Sequence, residues 1–391
     1  MSQLAKLKAP KLLSWVLVAT GCTLLTWLVL AYYLPQVGPS GWAVTTFRED
    51  TDFLVYFSNL GWIDQGRVLF THGYAEYPPL GLLYVNWPQL FASSFTFYSW
   101  WLRFSNAFLY LGVAWLTWQT GRLLGQVPAR TWWWWLLPST MYFSLNRFDV
   151  LPVFLLALGL YLLLSGRYRS GWFAYGLSIM AKLYPVFLLP LMLAIAREHK
   201  QPLRHHLPYL LAPILSFSLS VGVVGGWLAV FYPYLLQFGR YVESGGVLAL
   251  VVGVWPEGLP ALLALAKLGQ FAVLAWWLWL TTAVQAKLTL QTQLTLAALT
   301  LLCIIFFSPF YSNQWWVWVV PFLVLTLPPS AWWLVLAHDA LNYLQLPLAF
   351  ELYGWSSPPF NLVVGVRSAV LLVLMVMVWR QLPRRWWVAI Q

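Results

Sequence analysis

Phe47-Arg48-Glu49-Asp50-Thr51-Asp52-Phe53-Leu54-Val55-Tyr56 follows the first long apolar run of the chain, about Leu12 to Leu34. The chain carries 11 Asp and Glu in 391 residues, and three of them stand within four positions here. In a membrane protein a carboxylate is kept where water or chemistry requires it. After a first span, these acids are expected just outside the bilayer, at the mouth of whatever cavity the helices enclose. That is where an enzyme acting on a lipid-linked substrate needs a general base.

The composition around this segment sets the class. Hydrophobic residues make up 61% of the chain, charged residues 8%, and the mean hydropathy is +0.70. That balance excludes a soluble domain and points to an all-α polytopic membrane protein. The apolar runs are long and continuous, unlike the short alternating segments of a β-barrel. The run 12–34 is too long for the core of a signal peptide and lacks a small-residue cleavage site, so it reads as a retained anchor. The formal charge of +11 sits on Lys and Arg gathered in short loops and at the termini. That is the signature of cytoplasmic loops, not of nucleic-acid binding. Cys22 and Cys303 lie inside apolar runs without metal-ligand spacing. Trp132 to Trp135 fit an interfacial belt.

Basic loops then orient the chain. Lys6, Lys8 and Lys11 precede the first span, which places the N-terminus in the cytoplasm. Further basic loops are 122–130, 167–169, 197–206 and 380–385. Keeping all of them cytoplasmic requires about twelve spans in a single transmembrane domain, 1–391, with both termini inside and a long outer loop, 35–99. The spans are expected at 12–34, 100–121, 131–146, 150–166, 171–184, 185–197, 208–231, 258–285, 290–307, 315–328, 331–350 and 361–379. An outer loop is expected at 232–257, and Lys287 marks a weakly charged turn. The apolar stretch 78–97 contains Pro78, Pro79 and Pro88 and reads as interfacial helix.

Under this topology the polar residues that apolar spans do not explain collect on the outer face: Asp50, Asp52, Asp64, Glu76, Arg103, Arg147, Asp149, Lys182, Arg240, Glu243 and Tyr311. Loop residues that simply face water account for some of them. Lys182 is harder to dismiss, because a Lys at mid-membrane costs about 2.5–3.5 kcal/mol unless it snorkels or is paired. Arg147 and Asp149 could pair with each other or with neighbours. Asp339 and Arg367, inside the last two spans, could pair with one another. Asp50-x-Asp52 alone is a weak divalent-ion site, and neither a metal nor a cofactor is expected. The chain lacks a P-loop, a dinucleotide fingerprint and a nucleophile elbow. An energy-rich donor on the outer face would therefore have to be lipid-linked.

The order of motifs resembles the GT-C superfamily of membrane glycosyltransferases, and most closely glycosyltransferase family 87, whose members use polyprenol-phosphate mannose. The matching pieces are Asp52-Phe53-Leu54-Val55-Tyr56, Tyr77-Pro78-Pro79-Leu80, Arg147-Phe148-Asp149-Val150-Leu151-Pro152 and Lys182-Leu183-Tyr184-Pro185. Arg240-Tyr241-Val242-Glu243-Ser244 and Ser308-Pro309-Phe310-Tyr311, with Trp318 and Pro321, complete the series. Phe310 stands where the family has Gln.

The resemblance implies transfer of a hexosyl group, mannosyl by analogy, from a polyprenyl-phosphate sugar to a lipid or glycan acceptor, on the outer face and with inversion. Asp52 is then the expected general base, with Asp50 as the alternative. Lys182, Arg240 and Arg147 are the cations for the leaving phosphate. Asp50, Tyr56, Tyr77, Asp149, Glu243 and Tyr311 are expected to bind substrate. A transporter or flippase for a lipid-linked or small polar substrate, and a non-catalytic membrane scaffold, are the other readings. The first calls for charges deep in several helices, the second for no dependence on Asp52.

Overall fold

A computed structural model describes residues 21–32, 41, 44–64, 77–92, 94–126, 137–238, 242–282 and 288–383. Lys6, Lys8, Lys11, Glu76, Trp132 to Trp135, Arg240, Lys287 and parts of the 122–130 and 380–385 loops lie outside the described residues.

Among the described residues the protein is all-helical, with one isolated bridge between Val44 and Glu49. The helices are α1 (Gly21–Tyr32), α2 (Thr51–Asp64), α3 (Pro79–Asn86), α4 (Phe95–Leu123), α5 (Pro138–Asn146), α6 (Val150–Leu164), α7 (Tyr168–Ala181) and α8 (Leu189–Glu198). They continue as α9 (Leu207–Phe238), α10 (Val247–Val254), α11 (Leu259–Thr282), α12 (Leu290–Phe306), α13 (Trp316–Thr326), α14 (Trp332–Tyr343), α15 (Phe350–Tyr353) and α16 (Pro358–Trp379).

Local chemistry explains many of the boundaries. Ser94, Thr289 and Ser357 cap α4, α12 and α16 by accepting a hydrogen bond from the N–H three residues on, which answers one of the four unpaired donors at each start. Pro79 and Pro138 open α3 and α5, where a missing N–H costs nothing. α7 stops at Ala181 because Pro185, four residues on, would clash with the Ala181 carbonyl and has no N–H to offer it.

Three helical stretches are long and apolar enough to cross a membrane: Leu207–Leu236, Pro256–Thr281 and Pro358–Trp379. α5 and α6 together make a fourth if the pair is one span, bent by 106°. The expected spans 131–146 and 150–166 meet at this bend, and 131–136 lie outside the described residues. At nine residues, about 14 Å, α5 is too short to cross a ~30 Å hydrocarbon core alone. The expected outer loop 232–257 is also different. α9 runs on to Phe238, bending at Gly226, where φ is +76°, and α10 occupies 247–254. The stretch 78–97 holds no span: α3, a 3₁₀ turn at Trp87–Leu90 and a break precede α4.

The core lies between α4, α5, α6, α7, α12 and α13. α12 and α13 bury nearly every side chain. α6 is apolar around its whole circumference, as a central helix must be. α7 packs tightly on α9 because Gly176 has no side chain: a Cβ there would stand 2.5 Å from the Leu210 carbonyl. Small residues at helix contacts let backbones approach in this way.

Candidate functional site

Two helix breaks build the site. Between α5 and α6 the chain leaves helical geometry at Arg147 (φ −138°, ψ 155°). After α7 it does so at Lys182 (φ −160°, ψ 149°). Irregular backbone within an apolar bundle is tolerated where protein buries it or a cavity takes its polar groups. Both breaks carry charged residues, and Lys182 Nζ lies 2.7 Å from Asp149 Oδ1.

The acidic segment packs against the first break. The Glu49 N–H donates to Asn146 Oδ1 at 3.2 Å. Asn146 also accepts from Arg103 Nε at 3.0 Å. Arg147 reaches across to form ion pairs with both Glu49 and Asp52, and the Thr51 hydroxyl donates to Glu49. Asp52, in the first turn of α2, also accepts from the Tyr56 hydroxyl at 3.0 Å. Its side chain is 28% exposed, against 2% for Glu49. Of the two carboxylates sharing Arg147, Asp52 is thus the one that a substrate can reach.

Sharing one guanidinium between two acids leaves an excess negative charge, and burial decides where the proton goes. Burial pushes the Glu49 carboxyl up to about 7, against the pull of Arg147, and Asp52 adds to the rise. Burial works against the charge of Arg147, but Asp52 and Glu49 outweigh it and hold the guanidinium above its ordinary value. Burial and then the Asp52 charge raise the Tyr56 and Tyr77 phenols as well. Both stay protonated, and Tyr56 donates to Asp52.

Aromatic rings connect this cluster to a cavity. Tyr56 meets Tyr77 edge-on at 5.9 Å, and Tyr77 meets Phe148 at 4.7 Å. Tyr77 and Lys182 are in the wall of a cavity of about 400 Å³, together with Tyr184, Trp315 and Trp318. Lys182 Nζ lies 4.9 Å from the centre of the Phe148 ring and 5.2 Å from that of Trp318, both within cation–π range. Trp318 stacks on Tyr184 at 4.1 Å and donates its indole N–H to Asp149 Oδ1 at 2.7 Å. The wall combines apolar and aromatic surface with a few polar groups, as small-molecule sites do.

The residues singled out in the sequence divide accordingly. Asp52, Tyr56, Tyr77, Arg147, Asp149 and Lys182 form one connected cluster. Within it Arg147, expected to face a phosphate, is committed to Glu49 and Asp52, and Asp149, expected to bind substrate, is fully buried under Lys182 and Trp318. Asp50 does not join them. It is 1% exposed, with Arg48 on one oxygen at 2.6 Å and Arg103 on the other at 2.5 Å, so it anchors the loop and cannot hold a sugar. Tyr311 is buried away from the cavity wall, donating to Asn342 Oδ1 at 2.8 Å beneath the Arg367 guanidinium. Glu243 donates its N–H to the Pro309 carbonyl at 3.1 Å, and Arg240 lies outside the described residues.

The Asp339–Arg367 pairing is not made. Asp339 accepts from the N–H groups of Ser139 and Thr140, the Thr140 hydroxyl and the Trp316 indole, at 2.6–3.0 Å. It caps α5, whose own N-cap Leu137 has no side-chain acceptor. Arg367 instead donates to Gln345 at 2.6 Å and to the Gly245 carbonyl at 2.9 Å.

Lys267 was missed in the sequence. It lies in the cavity wall as the single charge of α11, and an ionisable residue alone in an apolar span is a functional candidate by default. Arg48, the second counter-ion of Asp50, gave no sequence signal beyond its place in the acidic segment. Among the described residues no group of three His, Cys, Asp or Glu gathers as for a metal ion. No family model matches the chain, and neither does any curated protein.

Proposed function

We propose that this chain is a membrane glycosyltransferase of the GT-C type, with about twelve spans and its site on the outer face. It transfers a hexosyl group from a polyprenyl-phosphate sugar to an acceptor hydroxyl, and mannose is the first sugar to test. In the step itself, Asp52 takes the hydroxyl proton as the acceptor oxygen attacks the anomeric carbon. The bond from that carbon to the phosphate oxygen breaks, its electron pair leaves on the phosphate, and the configuration inverts. Arg147 and Tyr56 orient Asp52, Lys182 meets the developing charge on the phosphate, and Arg240 is the further cation the motif suggests.

The observation that carries this reading is a reachable carboxylate, Asp52, linked through Tyr56 and Tyr77 to an aromatic cavity with Lys182 in its wall. A base beside a cation-bearing apolar cleft suits a donor with a charged head and a lipid chain. The test is sugar transfer by purified protein in lipid, with radiolabelled polyprenyl-phosphate mannose and a crude lipid acceptor. Loss of transfer in a folded Asp52→Asn protein supports the base assignment. Unchanged transfer removes it, and a wild type inert towards a panel of lipid-linked sugars sinks the enzyme reading.

A further inference from the structure

Lys267 is the single charged residue among the 24 of α11, and α11 belongs to one of the three stretches long and apolar enough to cross a membrane. It stands eleven residues from Pro256 and fourteen from Thr281, the ends of that stretch, roughly 16 and 21 Å along the axis. A four-carbon stem does not cover those distances, so the ammonium cannot snorkel past either end to reach water. The ion pairs of the described residues engage Arg48, Arg103, Arg147 and Lys182, and none engages Lys267.

Lys267 faces the same cavity as Lys182. The charge of Lys182 is met by Asp149 at 2.7 Å, and among the described residues no ion pair meets that of Lys267. Among the described residues the cavity wall carries no carboxylate, and one helical turn either side of Lys267 it includes Leu263, Gln270 and Phe271 from α11, with Ile304 facing them from α12. Lys267 is exposed on the surface of α11, and a charge at that depth of an apolar span needs water or a counter-ion beside it. A cleft adjoins it, and the partner that fits a cation among largely apolar walls is an anionic head carrying an apolar chain.

We infer that Lys267 is the counter-ion for the phosphate of a polyprenyl-phosphate ligand, with the chain lying along Leu263, Phe271 and Ile304. Lys182, already balanced by Asp149, assists without being the principal charge. The inference rests on the lipid-linked donor reading, and it assigns the donor's phosphate to a residue outside the motifs that suggested that reading.

Binding without turnover tests it. Radiolabelled polyprenyl phosphate, carrying no sugar, is titrated onto purified protein in nanodiscs, with neutral polyprenol and phosphatidic acid as competitors. The variants are Lys267→Met, Lys267→Gln and Lys267→Arg, each checked for an unchanged melting temperature. The expected result is at least a tenfold loss of affinity in Lys267→Met and Lys267→Gln, retention in Lys267→Arg, and weak competition by both other lipids. Undiminished binding to Lys267→Met overturns the inference. So does polyprenol competing as well as its phosphate, and equal competition by phosphatidic acid would make the site one for ordinary bilayer lipid. A wild type that binds polyprenyl phosphate through Lys267 but transfers no sugar leaves this inference standing and removes the transferase reading.

Discussion

Lys182 and Asp149 meet at 2.7 Å across two interrupted helices, and the pair ties the end of α7 to the α5–α6 bend. Asp149 is fully buried and Lys182 nearly so, its side chain 13% exposed. The attraction is strong in such surroundings, and so is the cost of leaving either partner alone.

Lys182→Met is therefore expected to destabilise the fold by about 3–5 kcal/mol, the range for breaking a buried pair. Adding Asp149→Asn should recover much of that loss, since a neutral amide no longer needs the cation. Unfolding in detergent, run as a double-mutant cycle, reads the coupling. Additive losses would mean that the pair does not hold the two breaks together.

Asp50→Asn is expected to act on stability and not on substrate. It leaves Arg48 and Arg103, both buried, short of their carboxylate, and the cost should again be about 3–5 kcal/mol. KM per folded molecule should stay unchanged. A raised KM with an unaltered melting temperature would return Asp50 to the substrate site.

Asp52→Asn should show the opposite pattern. Asp52 is partly open, and Glu49 keeps Arg147 paired when its charge is removed, so the melting temperature should barely move. Transfer should fall by about 10²–10⁴-fold, the usual contribution of a general base. Arg147→Lys should lower kcat as well, because one ammonium cannot span both carboxylates as the planar fork does.

The Glu49 carboxyl, raised by burial to about 7, makes stability depend on pH. Between its ordinary value of about 4.5 and 7, the folded protein holds a proton that the unfolded chain has lost. Stability contributed by this group is therefore greatest at low pH and is lost as pH rises through that window. The melting temperature should fall between pH 5 and pH 8, and Glu49→Gln should flatten that slope. A slope of the opposite sign, or one unchanged in Glu49→Gln, would mean that Glu49 is ionised throughout.

Asp339→Ala removes the acceptor for four donors, two of them N–H groups at the start of α5. About 1–3 kcal/mol is expected for each buried donor left unanswered, so the variant should be among the least stable single changes in the chain. Asp339→Asn, which keeps an acceptor oxygen, should retain part of the loss. A melting temperature unchanged in Asp339→Ala would show that water takes over the cap.

The sequence by itself determined the class and the punctuation. An apolar content this high admits only helices once the backbone leaves water, and Pro185 and the charged residues at 147–149 and 182 mark where helices start or stop. It also brought Asp52, Tyr56, Tyr77, Arg147, Asp149 and Lys182 forward, but mixed with Asp50, Arg240, Glu243 and Tyr311. Hydropathy alone could not tell that α5 is too short to cross, because its length depends on where the chain bends and not on how apolar it is.

Tertiary structure decided which charges pair. Glu49 and Arg147 are 98 residues apart, Asp50 and Arg103 53, and Asp339 and Ser139 200. No local pattern encodes such distances, so Asp50 read as a substrate ligand and Asp339 as a partner for Arg367. Burial then sorted the acidic segment: neighbouring carboxylates look alike in sequence, but only Asp52 is left open, while Arg48 and Arg103 claim Asp50 and Arg147 covers Glu49. The cost of an unpaired buried charge drives those choices, and it is felt only when the helices have closed around it.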